Sequence, residues 1–207
     1  MMTTTNHLDN TNNPILNVEF SRPTTGLDMG AGQIDPNRAL NPGLIYDAGI
    51  KDYDNFICSL NFKMLQLLTI VTSSSYNCLN SSSHLNYPTF IASFSETSPT
   101  TQEFKKIMTN VGDSSFNYSV ELIQPSGAIV NVSPNKLVFQ KKIESLSFIV
   151  NIMDTLERNN ISSSGAHFWI DTNGKHTLRS PIVVMDPPSD NTKIVYVSFI
   201  CQINSVI

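Results

Sequence analysis

Residues 166–184 read AHFWIDTNGKHTLRSPIVV, and their pattern decides the fold class. Asn173-Gly174 lies between two apolar runs, 166–171 and 177–184, and both residue types tolerate the positive φ of a type I′ turn. The expectation is a β-hairpin. Toward the amino end, six further short runs recur with turn residues between them at about 8–12-residue spacing, as an all-β domain requires. They occupy 86–93, 103–111, 116–123, 129–132, 136–139 and 146–152. In Phe116, Tyr118, Val120 and Leu122 the alternation is clean, and again in Leu146, Phe148, Val150 and Ile152, so one face of each strand is core. Residues 85–185 therefore predict a small antiparallel β-sandwich.

The flanks follow other patterns. Residues 1–57 are dense in turn signals, among them Asn13-Pro14, Arg22-Pro23, Asp35-Pro36 and Asn41-Pro42-Gly43. From Asp52 to about Leu68 the apolar residues Phe56, Ile57, Leu60, Met64, Leu65, Leu67 and Leu68 recur at helical spacing, which predicts a short helix or two. Residues 58–84 read as a helical and loop linker, with serines at 73–75 and 81–83. The end, 194–207, is apolar and β-branched but interrupted by Ser198, Gln202 and Asn204. It falls short of the about 20 residues that span a bilayer as a helix, so no membrane span is expected.

Composition excludes one large class. The chain has 207 residues, 13 Lys+Arg against 17 Asp+Glu and a net charge of −4. With no basic run longer than two residues, it carries no footprint for a phosphate backbone, and nucleic acid is not an expected partner. In place of charge it has 22 Asn, 25 Ser and 17 Thr, a mix that suits the turns and surface of a secreted β-protein. The start, MMTTTNHLDN, lacks the basic and apolar regions of a signal peptide. Asn80, Asn117, Asn131 and Asn160 are glycosylation candidates, each followed two residues later by Ser. Chance alone supplies about four. Cys58 and Cys78 would close a disulfide loop worth about 3 kcal/mol if the compartment is oxidising, leaving Cys201 over.

Candidates for chemistry are few. His176, Asp171 and Ser180 are close in sequence, but they flank a hairpin where a period of two splits them between faces, so no triad is expected. His7, His84 and His167 have no partner at ligand spacing, and neither a metal site nor a cofactor is expected. Asp52 and Asp54 read as a helix cap. Gly30-Ala31-Gly32 lacks the third glycine and the preceding strand of a phosphate loop. Trp169 on a sandwich strand reads as core.

The order of several segments resembles the plant subtilisin-like serine proteases (subtilases). MMTTTNHLDNTNNPI, 1–15, resembles the stretch after the helix that bears that family's catalytic serine. GAGQIDPNRALNPGLIYD, 30–47, is similar to a family motif in which Gln33 replaces the usual histidine. DYDNFIC (52–58), HLNYPTF (84–90), MTNVG (108–112), PSG (125–127), VNVSPNKLVF (130–139) and Trp169, His176 and RSPIVV (179–184) then follow in the family's order. His84 stands where aspartate is usual and Thr89 where serine is.

The resemblance implies a remnant of a subtilisin α/β catalytic domain over 1–57 and a fibronectin type III-like sandwich over 85–185, with 186–207 a tail outside the family pattern. The family's catalytic aspartate, histidine and serine and its oxyanion-hole asparagine would lie upstream of Met1, so no catalytic residue carries over and the chain is not itself expected to be a protease. Its partner would be a subtilisin-like catalytic domain, and its location extracellular, in the apoplast or cell wall. A stand-alone sandwich that binds a protein, such as a protease, at its edge strands is the alternative. Without the catalytic domain that would cover them, Leu16, Ile34, Leu40, Leu44 and Ile45 would form an exposed patch, and residues 1 to about 50 would be poorly ordered while the sandwich folds.

Overall fold

The computed structural model describes residues 1–60, 62–71, 78–79, 81–82, 84–95, 100–112, 115–155 and 162–186. The first segment holds a 3-10 turn at Met2–Thr4, strands β1 (Leu16–Asn17) and β2 (Arg22–Pro23), helices α1 (Gly26–Met29) and α2 (Pro36–Leu40), and strand β3 (Leu44–Ile45). Helices α3 (Ile50–Ser59) and α4 (Met64–Val71) come next. The sandwich strands are β4 (Phe90–Ser93), β5 (Thr101–Asn110), β6 (Phe116–Ile123), β7 (Ala128–Ser133), β8 (Lys136–Phe139), β9 (Ser145–Asp154), β10 (Ser162–Asp171) and β11 (Thr177–Met185). The short helices start on side-chain acceptors. Asp28 accepts the Thr25 N–H at 2.8 Å, Asp35 accepts the Arg38 N–H at 3.0 Å, and Asp52 accepts the Gly49 N–H at 2.8 Å. Asp52 is thus a helix-start acceptor, as its place before the apolar run implied.

Two sheets face each other. One has the order β4-β11-β10-β6-β8 and the other β3-β5-β9-β7. Pairing is antiparallel except between β4 and β11, which run parallel with Phe90 opposite Ile182. Phe90, Met108, Tyr118, Val130, Leu137, Phe148, Val150, Ile152, Trp169, Leu178 and Ile182 fill the space between the sheets. Each contributes about 1.5–3 kcal/mol by leaving water, and together they account for the clean alternation of β6 and β9.

Three expectations need correction. Residues 86–89 are not strand. The Asn86 side chain is committed elsewhere, donating to the Asp47 and Ile107 carbonyls and accepting the Ile107 N–H, and Pro88 has no N–H to donate to a ladder. The β10–β11 turn is also not type I′, because the last strand pair is Ile170 with Thr177 and only Gly174 of the pair Asn173-Gly174 has a positive φ, 68°. Asp171 builds the turn instead, its Oδ1 accepting the N–H groups of Asn173 and Lys175.

The third correction concerns the amino-terminal segment. Leu44 is 0% exposed and lies in the sandwich core, because β3 adds to the edge of β5 with Leu44 opposite Asn110 and Ile45 opposite Thr109. Leu44 and Ile45 therefore leave the expected exposed patch, whereas Leu16, Ile34 and Leu40 remain on it. Thr3, Thr4 and Thr5 are buried as well. The segment lies as a strap across the outer face of β11, which is why 178–184 is buried on both faces.

Candidate functional site

The hairpin brings Asp171 and His176 together although the strand period separates them. Both stand at the loop mouth, where the backbone closes with the Asp171 N–H donating to the His176 carbonyl. His176 Nδ1 donates to Asp171 Oδ2 at 2.9 Å, with the two side chains 5% and 0% exposed. This pair lacks a nucleophile. Ser180 lies on β11 toward Tyr46, its Oγ 2.9 Å from the tyrosine hydroxyl, and His176 Nε2 is sealed from solvent with no hydrogen-bond partner among the described residues. Asp171 accepts four N–H bonds in all, counting the His176 backbone at 3.2 Å. The arrangement is a hairpin clamp whose two side chains are buried among the described residues.

The clamp supports the joint between strap and sandwich. Gly43 rests on it: a Cβ there would come 2.5 Å from the Tyr118 hydroxyl and 2.9 Å from His176 Cγ, and the residue has φ +75°. No side chain fits, and the backbone conformation itself favours glycine. The Gly43 carbonyl then accepts the N–H groups of Val111 at 2.9 Å and Gly112 at 3.1 Å. Two sequence motifs far apart in the chain, NPGLIYD and MTNVG, thereby interlock. Asn110 supports the second, its Oδ1 accepting the Gly112 N–H and its amide donating to the Lys141 carbonyl. Asn86 ties the HLNYPTF motif to Asp47 at the end of the first.

Beside this joint Lys106 is buried, donating to the Leu85 carbonyl at 2.6 Å with its ammonium 5.3 Å from the Phe90 ring. Burial pulls its pKa down to about 8. His167 lies in the core between Phe148, Phe90 and Trp169, stacked on Phe148 at 5.6 Å. Neither of its ring nitrogens has a hydrogen-bond partner among the described residues, and burial pushes its pKa down to about 3. Trp169 is fully buried and meets Phe148 edge to face, which makes it core.

On the outer face of β11 the strap is fastened by side chains from both partners. Arg179 Nη1 donates to the Ala31 carbonyl at 2.9 Å, Arg38 Nη2 donates to the Thr177 carbonyl at 2.7 Å, and the Gly26 N–H reaches Ser164 Oγ at 3.4 Å. Gly32, in the Gly30-Ala31-Gly32 stretch, lies flush against the Asn6 carbonyl where Asn6 bridges to Gln33. The stretch is a packing surface. Away from the sandwich the same strap presents Leu16, Val18, Phe20 and Leu40 to solvent, Val18 at 97% and Leu40 at 86% exposure.

The remaining candidates scatter. Cys58 and Cys78 are bonded across a separation of 20 residues, with Cα atoms 5.5 Å apart, joining the end of α3 to the segment after α4. Asn117 and Asn131 are exposed on β6 and β7, whereas Asn80, Asn160 and residues 187–207, including Cys201, lie outside the described residues. His84 is exposed, and His7 is half-buried against Phe168 with ring centroids 6.3 Å apart. No group of three or more His, Cys, Asp or Glu that would hold a metal occurs among the described residues. Missing from the sequence reading were Arg38, Gly43, Asn86, Asn110 and Lys106 as joint residues. All but Lys106 sit inside the quoted motifs, so the motifs were the available signal.

The family described as fibronectin type-III domain matches residues 84–184. Subtilisin-like protease SBT3 of Solanum lycopersicum is 46% identical over 187 residues, covering 88% of this chain and 25% of its own length. Subtilisin-like proteases SBT1.6 and SBT5.3 of Arabidopsis thaliana are 33% identical over 194 residues and 36% identical over 190, each covering 89% of this chain and 25% and 23% of their own lengths. The chain thus spans about a quarter of the length of the curated relatives it matches.

Proposed function

Because the chain belongs with the plant subtilisin-like proteases, corresponding to a carboxy-terminal portion of them, we propose that it serves such a serine endopeptidase as a non-catalytic module that stabilises or regulates the catalytic domain. The activity, hydrolysis of peptide bonds in extracellular proteins, resides in the catalytic portion. The module's part is attachment. One observation carries this reading: the Gly43 carbonyl is held by two N–H groups of the MTNVG turn, so the strap that continues toward the catalytic portion is a strand of the sandwich itself. Tension or motion in one unit is then transmitted to the other through backbone hydrogen bonds rather than a loose linker. Leu16, Val18, Phe20 and Leu40, on the strap's outward side, supply the apolar surface that the catalytic portion covers.

In this reading the residues divide into a catalytic-domain remnant over 1–57, a disulfide-closed helical linker over 58–84 and the sandwich over 85–185. An oxidising, extracellular setting fits the Cys58–Cys78 bond, and Asn117 and Asn131 are exposed enough for glycosylation. The test mixes purified chain with a separately produced catalytic portion of a relative and follows both with a serine-directed phosphonate probe. The expected result is labelling confined to the catalytic portion and a longer thermal half-life when the chain is present. Stoichiometric labelling of the chain alone, or no association and no change in half-life, would refute the proposal.

A further inference from the structure

Two guanidinium groups and an imidazole converge where the strap crosses the start of β11. Arg179 and Thr177 share the outer face of that strand, and Arg38 reaches the Thr177 carbonyl from α2 while Arg179 reaches the Ala31 carbonyl from below the strap. Phe168 lies opposite Arg179 in the β10–β11 register, and the His7 ring packs on Phe168. The Asn6–Gln33 bridge fixes the backbone at the residue before His7. Three cationic or potentially cationic groups thus meet at one corner.

No anion among the described residues balances them. Among the described residues neither arginine meets a carboxylate within 4.0 Å, whereas the exposed Lys105 pairs with Glu103 at 3.4 Å. Asp35, three residues from Arg38, turns its Oδ1 to the Arg38 backbone N–H at the start of α2. Arg179 is 9% exposed, and its Nε is buried with no acceptor among the described residues. A buried N–H of a charged group without an acceptor is costly, and in a chain of net charge −4 the lack of a neighbouring acid is unexpected. His7 supplies a second sign of the same field, because after burial the two arginines are the causes that hold its pKa below the ordinary value.

We propose that the His7–Arg38–Arg179 corner is a carboxylate-receiving site, and that the carboxylate is an acidic side chain of the catalytic portion of the protease. The choice of occupant rests on the docking function proposed above; the site itself does not. Guanidinium N–H groups beside an imidazole N–H suit the two oxygens of a carboxylate. The position also suits a docking anchor, since the same strap carries the outward-facing Leu16, Val18, Phe20 and Leu40.

NMR of the whole chain tests the site, following the His7 imidazole and the two guanidinium groups during titration with acetate and with chloride at matched ionic strength. Acetate is expected to give saturable shifts at all three groups, and Arg38→Gln is expected to weaken that response by about tenfold or more. Shifts that follow ionic strength equally for both salts, or an acetate response indifferent to Arg38→Gln, would overturn the site. Repeating the titration with the catalytic portion bound tests the occupant. Loss of the acetate response is expected, and an unchanged response in the complex would overturn the assignment to the protease's own carboxylate. Failure of the complex to form would count against the docking function, and the acetate titration of the chain alone would still decide the site.

Discussion

His167 and Gly43 show how single residues carry constraints that their chemistry alone does not announce. His167 is neutral in the folded core, its pKa about 3, and returns to the ordinary value of about 6.5 when the chain unfolds. Between these values the unfolded state binds more protons, so stability is intact above about pH 6.5 and falls as the pH drops toward 3. The loss is about 1.4 kcal/mol per pH unit within that window. His167→Leu should remove this slope, and urea midpoints measured at about pH 5 and pH 7 will read it; an unchanged pH dependence in the variant would place the acid sensitivity elsewhere. At Gly43 the obstacle is space and backbone conformation together. Gly43→Ala should cost about 2–4 kcal/mol, from a left-handed φ and a methyl forced against Tyr118 and His176. Thermal unfolding checks this, and a near-neutral variant would mean that the clamp yields.

At the scale of elements, the strands with strict alternation were legible because each buries one face, and β6 and β9 fall where Phe116–Leu122 and Leu146–Ile152 alternate. The helices α3 and α4 were legible from apolar spacing in the same way. What could not be read was pairing at long range. Strand β3 has two residues, too few for any period to show, and it exists because Leu44 finds a hole in the sandwich and Asn110 and Thr109 offer an edge. The Asp171–His176 clamp escaped for a related reason: alternation governs residues within a strand, and these two lie at the mouth of the loop that ends it. For β3 the consequence is direct. Leu44→Ala should destabilise the sandwich by about 2–5 kcal/mol, as a core residue does, whereas Leu40→Ala on the exposed side should change stability by less than about 0.5 kcal/mol. Equal effects of the two substitutions would contradict the division of the strap into an inward and an outward face.

For the whole molecule, the sequence motifs that resemble the protease family meet at the joint between strap and sandwich. NPGLIYD, HLNYPTF and MTNVG meet through Gly43, Asn86 and Asn110, and RSPIVV holds the strap through Arg179. The family was legible from those motifs, and their physical purpose was not, because each bonds a partner tens of residues away. A chain built this way couples its amino-terminal strap to its sandwich as one cooperative unit. Hydrogen exchange of the intact chain measures that coupling most directly. If the account holds, the amides of Leu44, Val111 and Gly112 exchange with the same opening free energy as the central strands β5 and β9. Exchange of those three amides at the rate of an unfolded peptide, beside a protected β5 and β9, would show that the strap is a loose appendage and contradict it.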